Sequence, residues 1–207
     1  MPKILKSGFI IGLIMITFSV HAEPAENLGY EAITPAQPIV QADKVEVIEF
    51  FWYGCPHCYS FEPVLKEWLS KQSDNINFIR MPAIFSKRWG KHAKAYFTAE
   101  ALGVDEQLHD DFFDAIQNKK QRLETEDQLA EFFIAHGVEE KAFRDNYNSF
   151  MVDAKMRKAK SMAPRYGIRS VPTMVINGKY KTNASIAKGQ QNITKVMDQL
   201  IAAESKK

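Results

Sequence analysis

The run Val45-Glu46-Val47-Ile48-Glu49-Phe50-Phe51-Trp52-Tyr53-Gly54-Cys55-Pro56-His57-Cys58 decides how this chain is read. Residues 45–52 are mainly β-branched and aromatic, with apolar residues on both faces, so they predict a strand covered on both sides. After the second cysteine, Phe61, Val64, Leu65, Trp68 and Leu69 recur at helical spacing and predict a helix over 56–70. Pro56 suits its first position, and Pro63 inside it is expected to kink it. Residues 75–81 predict the next strand. Strand, helix and strand in so short a span make a βαβ unit, with the two cysteines at the strand-to-helix junction.

Upstream, residues 23–43 are Pro-rich and polar and read as an extended arm with one strand near 30–33. Downstream, residues 91–102, 106–119, 126–136 and 139–147 predict short amphipathic helices. Gly103 and Gly137 stand at C-cap positions, and Thr125 with Gln128 fits a capping box. A longer helix is expected over 149–165, distorted near Pro164 and ended by Gly167. A strand over 171–176 leads to Asn177-Gly178, a strong two-residue hairpin signal. A returning strand over 179–181 and a helix over 192–203 close the chain. The order is βαβ, a helical block, then ββα. This is one α/β layer structure interrupted by an all-helical insertion. The expected parts are residues 23–85 and 168–207 for the layered domain and 86–167 for the insertion.

Residues 1–22 read as an address. Lys3 and Lys6 precede a short apolar run, and Val20-His21-Ala22 offers a cleavage site, so a cleaved secretory signal is expected. The whole 207-residue chain carries a formal charge of +2, and both excess charges lie in that segment. No basic excess marks a nucleic-acid footprint. The locally basic stretch at 155–160 reads as the wet side of a helix.

Cys55 and Cys58 are the only two cysteines. An exported chain meets an oxidising compartment, where disulfides persist. A bridge across so short a loop constrains the unfolded chain very little, so the pair is a reagent rather than a staple. A strand-to-helix junction turns free N–H groups and the positive end of the helix toward Cys55, which stabilises its thiolate. Cys58, one turn inward, is expected to be more buried, leaving Cys55 as the exposed exchanging sulfur and Cys58 as the resolving one. His57 beside them adds to thiolate stabilisation. A zinc site lacks further cysteines, and His92, His109 and His136 are scattered over predicted helices; no metal is expected. Haem attachment needs His after the second cysteine, where Tyr59 stands. Phe50, Trp52 and Met174 are expected mostly in the core.

The run Glu49-Phe50-Phe51, the motif Cys55-Pro56-His57-Cys58-Tyr59 with Phe61-Glu62, and the later Asn148-Ser149-Phe150 resemble the DsbA family of thiol:disulfide oxidoreductases. So do Gly167-Ile168-Arg169-Ser170-Val171-Pro172 and Val175-Ile176-Asn177-Gly178-Lys179-Tyr180. The resemblance spans essentially the whole chain after the signal. It implies a thioredoxin-like fold with an inserted helical domain, and a periplasmic enzyme that donates its Cys55–Cys58 disulfide to exported proteins. It implies reoxidation by a quinone-linked inner-membrane protein of the DsbB type, and no cofactor beyond the cysteine pair. It also implies that Glu49 lies beneath the site, paired with Arg80 on the neighbouring strand. Pro172 is implied to be cis and to face the disulfide, where the Val171 backbone meets extended substrate. Either Glu49 or Glu62 is positioned to accept or relay the proton of Cys58. A monomer is expected. The alternatives are a disulfide isomerase or reductase on the same fold, or a binding module with incidental cysteines.

Overall fold

The computed structural model describes residues 28–205; the expected signal at 1–22 lies outside them. The described chain runs β1 (Glu31–Ala32), β2 (Val45–Phe51), α1 (Pro56–Leu69), β3 (Ile76–Pro82) and α2 (Lys87–Leu102). It continues through α3 (Asp105–Gln117), α4 (Glu126–Ala135), α5 (Glu140–Tyr147) and α6 (Phe150–Arg165). It ends with β4 (Thr173–Ile176), β5 (Tyr180–Thr182) and α7 (Ile193–Glu204). The strands form one mixed sheet in the order β1-β5-β4-β2-β3, with β2 and β3 parallel and the other pairs antiparallel. Helices α2 to α6 lie in the chain between β3 and β4, where the sequence places its helical block.

The period-two geometry of β2 sorts its side chains between two cores. Val45 and Val47 pack with Phe61, Leu65 and Trp68 of α1 and with Ile193 and Met197 of α7. Ile48 and Phe50 point to the other face and join the helical block, with Phe113, Leu129, Phe133 and Phe143. Glu49 shares the face of Val45 and Val47, so a carboxylate stands at a core position and is fully buried. The parallel register sets Arg80 of β3 directly beside it.

Local chemistry fixes the ends of the elements. The Thr125–Gln128 capping box forms at α4. Ser149 accepts from the Val152 N–H at the start of α6. Asn177 and Gly178 both have positive φ, the backbone a two-residue hairpin turn requires. A side chain at 178 would also collide with the backbone of Gln37, whose N–H donates to the Gly178 carbonyl. Helix α2 begins at Lys87, four residues earlier than the apolar spacing predicts. Gly90 weakens the helical signal there, but Ser86 caps the turn by accepting from the Trp89 N–H. Strand β4 begins at Thr173 rather than 171, because Val171-Pro172 forms the loop that meets the cysteines and proline cannot donate to a ladder. Strand β2 ends at Phe51, so Trp52 leaves the sheet and is only half-buried.

Leu65 has no exposed surface, whereas its neighbour Val64 is 39% exposed. Leu65→Ala should cost about 2–5 kcal/mol of stability, and Val64→Ala about 0.5 kcal/mol or less. Urea unfolding of the two variants checks the assignment of the α1 face.

Candidate active site

Cys55 is the N-cap of α1. It has extended backbone angles, its Sγ accepts from the Cys58 N–H at 3.4 Å, and Pro56 follows within the first turn. Gly54 is required before it, because a Cβ there would lie 2.2 Å from the Trp52 indole, which folds back over the loop. The Val171–Pro172 peptide is cis, and the Cys55 thiol donates to the Val171 carbonyl at 3.5 Å. This loop covers the sulfur: Cys55 is 8% exposed and Cys58 is wholly buried. The difference has the expected sign, but Cys55 is not the openly exposed thiol that its sequence position suggests. The cover comes from a segment 116 residues away in the chain. Both thiols are free. His57 is exposed at the helix start.

The two sulfurs are pushed in opposite directions. The Cys55 thiol is lowered to about 6. The largest cause is the hydrogen bond from the Cys58 thiol, working against burial, with the N–H groups of Cys58 and His57 and the charge of His57 adding to it. The imidazole charge expected to stabilise Cys55 therefore contributes less than the neighbouring thiol. Burial holds Cys58 protonated, reinforced by its bond to Cys55 and by the charges of Cys55 and Glu49.

Beneath the sulfurs lies a buried charged group. The Arg80 guanidinium is 3.5 Å from Glu49, 3.4 Å from Glu62 and 3.1 Å from Glu106. Glu62, on the face of α1 one turn beyond Cys58, is buried, as are Glu49 and Arg80; Glu106 is solvent-exposed. Neither Glu49 oxygen makes a hydrogen bond to another described residue. Burial raises the Glu49 carboxyl well above its ordinary value, and the charge of Glu62 raises it further against the pull of Arg80. Glu62 goes the other way. Burial is outweighed by the bond from His109 and the charges of Arg80 and Lys66, so its carboxyl is held below the usual range. Of the two buried acids, Glu49 is thus the one that takes up a proton more readily and Glu62 the one that ionises more readily.

Sequence reasoning missed several groups around this site. His109 on α3 is buried between the Tyr53 hydroxyl, at 2.9 Å, and Glu62, at 3.2 Å. Its signal was present: Phe112, Phe113 and Ile116 at helical spacing place it on the inward face of α3. Gln117 on the same helix donates to the Tyr53 carbonyl at 2.7 Å. Trp52, expected in the core, instead stacks on Trp89 at 4.2 Å and donates to His92 Nδ1 at 3.1 Å. Burial lowers His92 to about 4, so it is neutral and able to accept that bond. Among the described residues no cluster of three His, Cys, Asp or Glu could hold a metal ion.

The DSBA-like thioredoxin domain family matches residues 78–200. The chain belongs to the DsbA family. The match begins beyond both cysteines, but relatives align over the motif as well. The thiol:disulfide interchange protein DsbA of Azotobacter vinelandii is 39% identical over 99% of this chain and 98% of its own. That of Pseudomonas aeruginosa is 39% identical over 84% of this chain and 83% of its own. A crystal structure of a P. aeruginosa DsbA variant superposes with a TM-score of 0.85 at 37% identity, covering 89% of this chain and all of that one. DsbA from Xylella fastidiosa superposes at 0.82 with 29% identity, covering 89% and 99%. The thioredoxin-like DsbA fold and the class of chemistry, thiol:disulfide oxidoreduction, follow from this membership.

In this member of the family, Cys58→Ala should raise the Cys55 pKa above about 6 by more than His57→Ser does, because the thiol contributes more than the imidazole. Thiolate absorbance titration of the three reduced proteins measures the order. Equal shifts would contradict it.

Proposed function

We propose that this protein oxidises the dithiols of exported proteins in the periplasm, with the Cys55–Cys58 disulfide as its only redox group. The observation that carries the reading is the opposition of the two sulfurs: a stabilised thiolate at the helix N-cap and a buried thiol held protonated one turn inward.

A substrate thiolate attacks Cys55 Sγ, the Cys55–Cys58 bond breaks, and the electron pair leaves on Cys58. That sulfur strongly favours its protonated form, so it takes a proton, and the proposed source is Glu49, whose buried carboxyl takes up a proton more readily than Glu62. A second substrate thiolate then attacks the substrate sulfur of the mixed disulfide. The substrate disulfide forms and Cys55 leaves as a thiolate, stabilised by the contacts that lower its pKa. Each of those contacts stabilises the reduced enzyme and none favours the disulfide. Val171, beside the cis bond, is the segment along which extended substrate lies next to Cys55.

The periplasmic address rests on residues 1–22 and on the family. Reoxidation by a quinone-linked membrane protein of the DsbB type, and action as a monomer, rest on the family alone.

The stability of the reduced protein carries a signature of this arrangement. Cys55 is an acid whose folded pKa, about 6, lies below its unfolded value of about 8.5. Its contribution is complete above the unfolded value and is lost as pH falls through about 6. Reduced protein should therefore gain about 1.4 kcal/mol per pH unit between those limits. The disulfide form, lacking this proton, should not. Urea unfolding of both forms from pH 5 to 9 measures the divergence. Equilibration with glutathione should leave the protein mostly reduced even when oxidised glutathione is abundant. A thioredoxin-like, reducing potential would overturn the oxidase reading in favour of a reductase.

A further inference from the structure

Helix α3 belongs to the helical block, yet it places a buried histidine within one bond of the charged group under the cysteines. Tyr53 is buried and its hydroxyl is held far from ionisation, chiefly by that burial. Glu62, ionised, can only accept, so a neutral His109 ring carries its proton on Nε2 and the Tyr53 hydroxyl donates to Nδ1 at 2.9 Å. The Nε2 proton is donated to Glu62 Oε1 at 3.2 Å. Burial, the main influence on this ring, also favours the neutral form. The directions of these two bonds are thus fixed by chemistry. His109 cannot turn away from Glu62 without abandoning Tyr53.

Other groups face this ring from each element packed on it. They are Tyr53 from the loop before Cys55, Glu62 from α1 and Tyr96 from α2, whose ring centre is 6.4 Å away. Arg80 of β3 and Asp110 of α3 act on it through their charges. Only Glu62 receives its second donor. One guanidinium cannot neutralise Glu49, Glu62 and Glu106 together. A neutral donor for Glu62 decides which buried carboxylate remains ionised.

We propose that His109 is a positioning residue of disulfide exchange: by donating to Glu62 it keeps that carboxylate ionised against Arg80, and so leaves Glu49 to hold the proton that Cys58 takes. The chemistry under the cysteines then depends on a side chain from the inserted helices. Remove the donor, and Glu62, buried with half its partners, takes up protons more readily. Its charge no longer opposes ionisation of Glu49, and Arg80 is released toward Glu49. The proton moves from the carboxyl that serves Cys58 to one that does not.

This inference rests on Glu49 as the proton donor to Cys58, and the experiment separates the two claims. The readout is 13C NMR titration of the Glu49 carboxyl in the full oxidised protein. It is paired with the pH profile of mixed-disulfide formation with a dithiol peptide, corrected for peptide thiolate. His109→Leu should lower the Glu49 midpoint by about one pH unit or more and move the alkaline limb of the profile down with it. His109→Gln, whose amide reaches the position of Nε2, should restore both. If His109→Leu does not fold, His109→Asn takes its place; its shorter amide still meets Tyr53 but falls short of Glu62, and the same shift is expected. In a Glu62→Gln background the His109 substitutions should have no further effect, because they act through that carboxylate. A Glu49 midpoint unmoved by His109→Leu or His109→Asn overturns the inference, as does an equal shift in the Glu62→Gln background. A profile that Glu49→Gln leaves unchanged overturns the role of Glu49 and this inference with it. If Glu49→Gln alters the profile and the His109 variants do not, only the role of His109 falls.

Discussion

A thiolate at the N-cap of α1 is stable only while the thiol one turn inward keeps its proton, and the rest of the structure serves that condition. The strongest influence on Cys55 is a hydrogen bond that Cys58 can donate only when protonated. Burial enforces that state on Cys58. Two identical side chains, three residues apart, are thereby given opposite acidities: burial raises the inner thiol, and the bond that thiol donates lowers the outer one. The helix end amplifies the difference, since its free N–H groups face the outer sulfur. A pair of titratable groups driven apart in this way can divide leaving-group and proton-acceptor roles between them.

That division creates a need for a proton at a place water does not reach, and the charges around Arg80 answer it. Burying carboxylates costs several kcal/mol each unless they are paired or protonated. Here the two outcomes are distributed: Glu62 is paired from two sides, by Arg80 and His109, while Glu49 is approached by Arg80 without a hydrogen bond and its carboxyl is raised toward the protonated form. Replacing a buried ion pair by apolar side chains of the same volume is often neutral or stabilising. The network is therefore better understood through its effect on Cys58 than as a source of stability.

The order of elements was legible in the sequence because periodicity, caps and turn residues act locally. The βαβ unit, the helices between β3 and β4 and the Asn177-Gly178 hairpin all follow from residues within a few positions of one another. The Glu49–Arg80 neighbourhood came from the resemblance to a family, and the parallel register supplies its geometry. What escaped was long-range. Cover over Cys55 comes from Val171, and the stacking of Trp52 on Trp89 depends on where α2 begins. His109 was the one omission with a local warning. A polar residue on an inward helical face needs a partner, and reading it only as a failed zinc ligand concealed that need.

The partners of His109 also bear on why the helical block sits where it does. Without it, Glu62 and Arg80 would lie on the open flank of α1 and β3, where water weakens every charge. Helix α3 closes that flank. Its Glu106 reaches Arg80, its His109 reaches Glu62 and Tyr53, and its Gln117 holds the Tyr53 carbonyl. The loop leading into Cys55 is thus held, at both the side chain and the backbone of Tyr53, by side chains of the same helix that dries the charges beneath. Drying matters as much as contact, because an interaction between carboxyl and guanidinium groups grows several-fold when water is excluded. The sheet and α1 supply the cysteines, and α3 among the inserted helices helps to keep water from the charges around Arg80, where burial raises the Glu49 carboxyl above its ordinary range.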